Sequence, residues 1–186
     1  MRARIQAEYN PGAKCDKWLK FLEDVQPDKM ERQSLQEFSG YCLIPSLPYH
    51  KLLIEHGTGR NGKGSFNRTI ESILGTDNVS KIGISDLDGG HRFSAAELYG
   101  KLLNVSSEPA TAMVLQTEQL KDLTGGDSIS AEVKYRQNRI KFLPFAKHII
   151  VGNKFPRIED DTVAWWDRVL YTEWTHLYRG IGETDT

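Results

Sequence analysis

Residues 51–75 read KLLIEHGTGRNGKGSFNRTIESILG. The apolar beginning, residues 51–57, predicts a short buried strand. Residues 62–74 predict a helix, and Gly75 is the residue type that commonly ends one. Between strand and helix lies a glycine-rich turn. The stretch therefore predicts a strand, a tight loop and a helix in direct succession.

The loop GTGRNGKG, residues 57–64, contains the pattern G-x-x-x-x-G-K, which is the core of the Walker A phosphate-binding motif. Glycines permit backbone conformations in which successive N–H groups face phosphate oxygens. The helix N-terminus adds partial positive charge, and Lys63 adds a full charge for the β- and γ-phosphates. A glycine turn that merely joins strand to helix is the alternative. The residues expected to bind ATP are Gly57, Thr58, Gly59, Arg60, Asn61, Gly62, Lys63, Gly64 and Ser65.

Gly64 departs from the motif, which normally has a serine or threonine hydroxyl for Mg²⁺ directly after the lysine. Ser65 follows one position later. One residue along a helix turns the side chain by about 100°, so Ser65 does not simply replace the missing ligand. Either Mg²⁺ is held through water and the nucleotide, or metal affinity is reduced.

Strand and helix patterns alternate after the loop. Strands are expected at 79–84, 101–108 and 147–153, and helices at 94–100, with a Ser94/Glu97 capping box, and 117–126. Residues 128–142 alternate apolar and polar side chains like a hairpin. Interleaved strands and helices predict an α/β three-layer domain with a mostly parallel sheet.

Two helices are expected before the loop. Trp18, Phe21, Leu22 and Val25 share the spacing of one apolar helix face. Asp28 and Glu31 form a start signal for a second helix. The two prolines of IPSLPYH then suggest a boundary, giving a helical packing region over 1–47 and the main domain over 48–186.

Composition limits the classes of function. The 186 residues carry a net charge of −1, so any contact with nucleic acid must come from a local patch. Residues 132–147 provide one, with five cations against one acid. Two cysteines fit a reducing cytoplasm, and the sequence contains no apolar run that would span a membrane.

Two polar residues follow predicted strands. Glu108 ends an apolar strand and suits an acid that orders Mg²⁺ and polarises water, although a surface acid would look the same. Asn153 ends the next apolar strand, where its amide could contact the γ-phosphate or serve only the local turn.

The order of these features resembles the superfamily 3 helicases, specifically the phage/plasmid primase–helicase branch, over about residues 10–175. The resemblance rests on GTGRNGKGSF, KLLNVSSEP, LKDLTGGDSISAEVKYRQNRIKFLP and AKHIIVGNKFPRIEDDTVAWWDRVL. It implies an AAA+-like P-loop NTPase domain, DNA-stimulated ATP hydrolysis, a homo-oligomeric ring that is a hexamer in the family, and single-stranded DNA as partner. A cytoplasmic protein encoded by a phage or plasmid of a bacterial or archaeal host is expected.

The resemblance also implies roles for individual residues. Lys63 matches the Walker A lysine, Glu108 the Walker B acid and Asn153 the polar sensor. Arg168 matches the arginine finger that reaches a neighbouring subunit, although on the residues alone it reads as a surface arginine. Ser65 and Glu108 are the expected Mg²⁺ ligands. The residues expected to contact DNA from the hairpin are Lys134, Arg136 and Arg139; a merely solvated ribbon is the alternative.

Two other functions remain open at this stage. A small-molecule kinase would share the loop but would need an acceptor pocket and a lid with several arginines. A nucleotide-binding module with little turnover is suggested by Gly64. The length leaves no room for the primase-like region that usually precedes the motor in the family, so the chain is expected to be the motor part alone.

Overall fold

The computed structural model describes residues 3–5, 7–87, 93–107, 114–115, 117–133 and 138–178. Its α-helices are α1 (Asp16–Val25), α2 (Lys29–Tyr41), α3 (Lys63–Leu74), α4 (Thr117–Gly125) and α5 (Val163–Trp166). Its strands are β1 (Leu52–His56), β2 (Val79–Ser80), β3 (Leu103–Ser107), β4 (Val114–Leu115), β5 (Ile129–Ala131), β6 (Ile140–Phe142), β7 (Lys147–Gly152), β8 (Arg157–Ile158) and β9 (Val169–Glu173). Short 3₁₀ helices cover Thr76–Asn78 and Ser94–Leu98.

The central sheet has five parallel strands in the order β2-β3-β7-β1-β9. β1 lies inside the sheet, with Leu53 opposite Ile149 of β7 and Leu170 of β9. The chain leaves β1 for the far edge at β2 and finally returns to its other side as β9. This reversal makes a crevice at the carboxyl end of β1, where ligands bind in open α/β sheets. The expected α/β fold with a mostly parallel sheet is confirmed.

The N-terminal helices form where the sequence predicts them. The Asp28 side chain begins α2 by accepting hydrogen bonds from the backbone N–H groups of Met30 at 2.6 Å and Glu31 at 3.1 Å. Both helices pack with α3 on one face of the sheet. The core there consists of Leu22, Val25, Leu35, Phe38, Tyr41, Cys42, Leu47, Leu53, Phe66, Ile70, Leu74, Leu102, Leu103, Val105, Ile149 and Trp174. The helical region thus shares a core with the sheet, and the boundary at residue 47 stays a prediction.

The second face of the sheet is covered by α4, α5 and the hairpin of β5 and β6. Leu52, Ile54 and Ile150 point to this side and pack with Leu120 and Trp165. Ile129 lies opposite Phe142 in the antiparallel pair, which confirms the predicted hairpin. Its tip, residues 134–137, lies outside the described residues.

Two local predictions are wrong. The strand expected over 79–84 ends at Ser80 because the side chain of Asn104 takes over the pairing. Its Oδ1 accepts from the Ile82 N–H at 2.9 Å and its Nδ2 donates to the Ile82 carbonyl at 3.0 Å. The Ser94/Glu97 capping box does not form. The N-cap of the 3₁₀ helix is Phe93, one residue before Ser94, and no side chain bonds the cap.

The segment after β7 contains elements that the sequence patterns did not predict, namely β8, α5 and β9. Asp160 anchors it to α4. The Asp160 carboxylate accepts hydrogen bonds from Lys121 at 2.6 Å, Thr117 at 2.7 Å and Thr162 at 2.6 Å. These donors, with Lys121 the strongest, hold the pKa of Asp160 well below its usual range.

The structure also bears on membrane insertion and on the two cysteines. Among the described residues, no helix has the length and apolar character needed to cross a membrane. Both cysteines are free; Cys15 is exposed and Cys42 is buried.

His148 provides a test of the core. It lies fully buried on β7, and neither ring nitrogen has a hydrogen-bond partner within the described part of the chain. Burial lowers the pKa of His148 from 6.5 to about 4. The unfolded chain therefore binds this proton at higher pH than the folded chain does. We expect stability to fall as the pH drops from about 6.5 towards 4, with a slope of up to about 1.4 kcal/mol per pH unit from this residue.

The substitution His148→Leu should remove that part of the slope, as measured by urea unfolding at pH 7, 6 and 5. His176→Leu, which changes a partly exposed histidine, should leave the slope in place. An equal slope in His148→Leu and the parent protein would contradict the prediction.

Candidate nucleotide-binding site

The loop between β1 and α3 requires glycine at its two ends. Gly57 has φ +153° and Gly62 has φ +98°. A Cβ at Gly57 would lie 2.3 Å from Asn61 Nδ2 and 2.4 Å from the Trp174 carbonyl oxygen. At Gly62 it would lie 2.7 Å from Val25 Cγ1. The loop is therefore closely packed against both α1 and the chain that follows β9.

Residues after β9 hold the loop in place. The Trp174 N–H donates to the His56 carbonyl at 2.7 Å, and the buried Asn61 side chain donates to the Trp174 carbonyl at 2.9 Å. The Tyr178 N–H donates to the Arg60 carbonyl at 2.7 Å. Arg60 itself has φ +50°, an unusual conformation for a residue with a side chain. The loop thus keeps its shape through contacts with a segment more than a hundred residues away.

Lys63 is the first residue of α3 and is only 5% exposed. Its ammonium group donates to the Gly57 carbonyl at 2.5 Å, so it closes the loop from inside. Burial lowers the pKa of Lys63, and the nearby Glu55 opposes this shift. Because a carbonyl group is neutral, this hydrogen bond leaves the positive charge of Lys63 able to attract an anion.

Glu55 is a member of this site that sequence analysis missed. It lies on β1 and is fully buried, and its Oε2 accepts a hydrogen bond from Asn67 of α3 at 2.5 Å. Burial raises the pKa of Glu55 to about 8, opposed by Asn67, Lys63 and Trp174. An ionisable residue inside an otherwise apolar strand was the available signal.

A cavity of about 490 Å³ opens over the loop. This volume is within the range of small-molecule sites. Its lining includes the loop residues Gly59–Ser65 and adds Arg68, Val151 and Tyr178. Arg68 and Tyr178 carry no recognisable motif, which is why sequence analysis missed both. The phosphates of a nucleotide such as ATP fit this lining, which offers the backbone N–H groups at the N-terminus of α3 together with Lys63.

The expected Mg²⁺ ligands fit less well. Ser65 is exposed, and its hydroxyl accepts a hydrogen bond from the Arg68 guanidinium at 3.2 Å. The described residues contain no group of three or more His, Cys, Asp or Glu that could hold a metal ion. Glu108 lies outside the described residues. The assignment of Ser65 and Glu108 to Mg²⁺ therefore stays a prediction.

Asn153 and Arg168 lie at opposite ends of the sheet. The Gly57 N–H donates to the Gly152 carbonyl at 3.3 Å, so Asn153 follows β7 at the same end as the loop, where it is exposed. Arg168 precedes β9, and its carbonyl accepts from the Leu52 N–H at 2.9 Å. Five residues of strand span about 17 Å, which places Arg168 far from the loop of its own chain. Its guanidinium donates to the Ala164 carbonyl.

The residues predicted to contact DNA are only partly described. Lys134 and Arg136 lie outside the described residues. Arg139 is exposed on the hairpin and forms an ion pair with Glu132 at 2.9 Å. Their assignment to DNA binding stays a prediction.

We expect Gly57→Ala to displace the loop, because the new methyl group would meet the Trp174 backbone. The variant should lose at least about tenfold in affinity for an ATP analogue, in line with the cost of a misplaced phosphate-binding backbone. Gly126→Ala is the matched control, since its backbone is also left-handed, a Cβ there would meet open space, and it lies outside the cavity. Equal affinity in the two variants, by fluorescence titration, would show that close packing at Gly57 is unimportant.

Comparison with solved structures places this architecture among helicase-like folds. The chain is similar to the apo C-terminal region of NrS-1, with a TM-score of 0.69, 19% identity, and coverage of 89% of this chain and 39% of that one. It is also similar to the JCV helicase bound to a thiazolopyridine-containing acetamide, with a TM-score of 0.53, 11% identity, and coverage of 88% and 46%. At these identities the likeness concerns the fold alone.

Sequence comparison finds viral relatives. The putative helicase L207/L206 of Acanthamoeba polyphaga mimivirus is 28% identical over 155 residues, which cover 80% of this chain. The putative helicase 022R of Frog virus 3 (isolate Goorha) is 28% identical over 178 residues, or 90% of this chain. The matches span only 16% and 18% of those relatives. The model of a family described as "Family of unknown function (DUF5906)" matches residues 56–168, which is more than half of the chain, and the protein therefore belongs to the DUF5906 family.

Proposed function

We propose that the protein is the ATP-hydrolysing motor of a DNA helicase of the superfamily 3 type, acting in phage, plasmid or related viral replication. The observation that carries the proposal is the buried Lys63 at the start of α3, inside a glycine loop at the carboxyl end of the central strand. The helicase-like fold and the helicase names of the viral relatives support it. The proposal includes a cytoplasmic location.

In this proposal ATP lies in the cavity over the loop. Lys63 would exchange its bond with the Gly57 carbonyl for bonds with β- and γ-phosphate oxygens. The Tyr178 ring lines the same cavity and offers a flat surface to the base. Mg²⁺, when bound with the nucleotide, neutralises charge that develops on the phosphates. Asn153, exposed at this end of the sheet, is the proposed partner of the γ-phosphate.

The position of Arg168 supports action between subunits. It cannot reach the loop of its own chain because it lies at the other end of β9. A ring of identical subunits would bring Arg168 of one subunit to the nucleotide of the next, as arginine fingers do. Single-stranded DNA would pass the hairpin, where Lys134, Arg136 and Arg139 provide phosphate contacts.

A nucleotide-binding module with little turnover is the second candidate function. It is favoured by Gly64, which supplies no hydroxyl to Mg²⁺ at the position where the motif normally has one. ATP binding without hydrolysis, both with and without single-stranded DNA, would favour this candidate over the motor.

The direct test is ATP hydrolysis with and without single-stranded DNA, combined with a mass measurement in solution. We expect hydrolysis that DNA stimulates, and we expect Lys63→Ala to reduce it at least about a hundredfold, as loss of a charge-stabilising group in phosphoryl transfer does. Lys51→Ala is a matched control, because Lys51 lies at the other end of β1, where its ammonium group bonds the Asp167 carbonyl. Unchanged turnover in Lys63→Ala would refute the assignment of the loop.

Arg168 gives a separate prediction about assembly. Arg168→Ala should retain ATP affinity and lose hydrolysis, because the charge is needed mainly as the phosphoryl group transfers. A mixture of Lys63→Ala and Arg168→Ala subunits should be more active than either variant alone. Some interfaces in the mixed ring would join an intact loop to an intact arginine.

Arg157→Ala is the control for this experiment. Arg157 is an exposed arginine of the same segment that pairs with Glu159 at 3.3 Å, and its loss should have a mild effect. Mixed oligomers that demonstrably form yet stay as inactive as their parents would rule out action between subunits.

A further inference from the structure

We propose that Arg68 is a second phosphate-binding cation of this loop, and that its guanidinium occupies the place that a hydroxyl-bound Mg²⁺ takes in the usual motif. The inference rests on the proposed binding of ATP. It assigns a role to a residue outside the motif and gives a reason for glycine at position 64.

The geometry around Gly64 carries the argument. Gly64 and Arg68 are four residues apart on α3, so they share one face of the helix. A Cβ at position 64 would lie 3.2 Å from Arg68 Nη1. A serine or threonine side chain at 64 would therefore begin in contact with the guanidinium and compete with it for the same space. Glycine at 64 leaves this space to the arginine.

The Ser65 hydroxyl fixes the other side of the guanidinium, at 3.2 Å from Nη2. The serine that follows Gly64 thus orients an arginine. Arg68 also lines the cavity that contains Lys63. The planar guanidinium presents several N–H donors in a geometry that matches phosphate oxygens.

The charges near Arg68 leave it available to a ligand. Glu71 lies one turn further along α3, and its carboxylate pairs with Lys81 at 2.9 Å. Within the described part of the chain, Arg68 has no carboxylate in ion-pair contact. Arg68 is exposed, its nearby acid is already paired, and it lines the same cavity as Lys63. Two cations in one cavity favour the binding of a polyanion such as a triphosphate.

The test measures binding, so it does not depend on turnover. A fluorescent, non-hydrolysable ATP analogue is titrated into the protein at constant ionic strength, once with excess EDTA and once with Mg²⁺. The parent protein should bind in EDTA. Arg68→Gln should weaken binding in EDTA by about tenfold or more, the size expected for a lost charge-assisted hydrogen bond, and weaken it less when Mg²⁺ is present.

Two further variants sharpen the result. Lys51→Gln removes a cation at the other end of β1, outside the cavity and away from Arg68 and Glu71, and it should bind like the parent in both buffers. Gly64→Ser should displace the guanidinium and restore a hydroxyl. Its binding should therefore become weaker in EDTA and depend more strongly on Mg²⁺ than that of the parent.

The outcomes separate this inference from the proposed function. Equal binding of the parent protein and Arg68→Gln in EDTA would overturn the role of Arg68 while leaving ATP binding intact. Equal losses in EDTA and in Mg²⁺ would show that Arg68 binds phosphate but does not stand in for the metal, which also overturns the inference. A parent protein that binds no nucleotide in either buffer would overturn the proposed function, and the inference with it.

Discussion

The contact between the phosphate loop and Trp174 is the constraint on which the site depends. The Trp174 backbone bonds both His56 and Asn61, and it leaves no room for a side chain at Gly57. The Trp174 indole also lies against Phe66 of α3, with ring centroids 5.5 Å apart, and Phe66 stacks on Trp18 of α1 at 5.8 Å. A change in the chain after β9, or in the first helix, would therefore reach the loop through packed aromatic rings. This arrangement explains how a loop rich in glycine, which is costly in backbone entropy, is held in one shape.

The electrostatics beneath the loop follow from the same packing. Glu55 is buried between β1 and α3, and this burial raises the pKa of its carboxyl group to about 8, which favours the protonated form at neutral pH. A neutral Glu55 can still bond Asn67, but it does not cancel the charge of Lys63. The site thus combines a buried acid that favours its neutral form with a cation that lines the cavity. An ionised Glu55 would instead compete with phosphate for Lys63, so the depth of burial favours the state in which the loop attracts an anion.

Sequence patterns predicted those elements that are determined by residues close to one another in the chain. Strand β1, the loop and helix α3 follow from apolar periodicity, glycine positions and the stop at Gly75, and Asp28 begins α2 by a bond within three residues. Features that depend on contacts between residues distant in the sequence were not predicted. Asn104 ends β2 from a strand distant in sequence, Asp160 anchors its segment to α4, and β9 pairs with β1 across more than a hundred residues. Glu55, Arg68 and Tyr178 belong to the site only because tertiary packing brings them there.

The separation of Lys63 from Arg168 has a consequence for how such a motor would work. Parallel strands place every carboxyl end on one side, so a residue that precedes β9 is directed away from the loop that follows β1. Within one chain the two cations cannot meet on the same phosphate. A complete catalytic site would therefore need a second copy of the chain, and hydrolysis would report on contact between subunits.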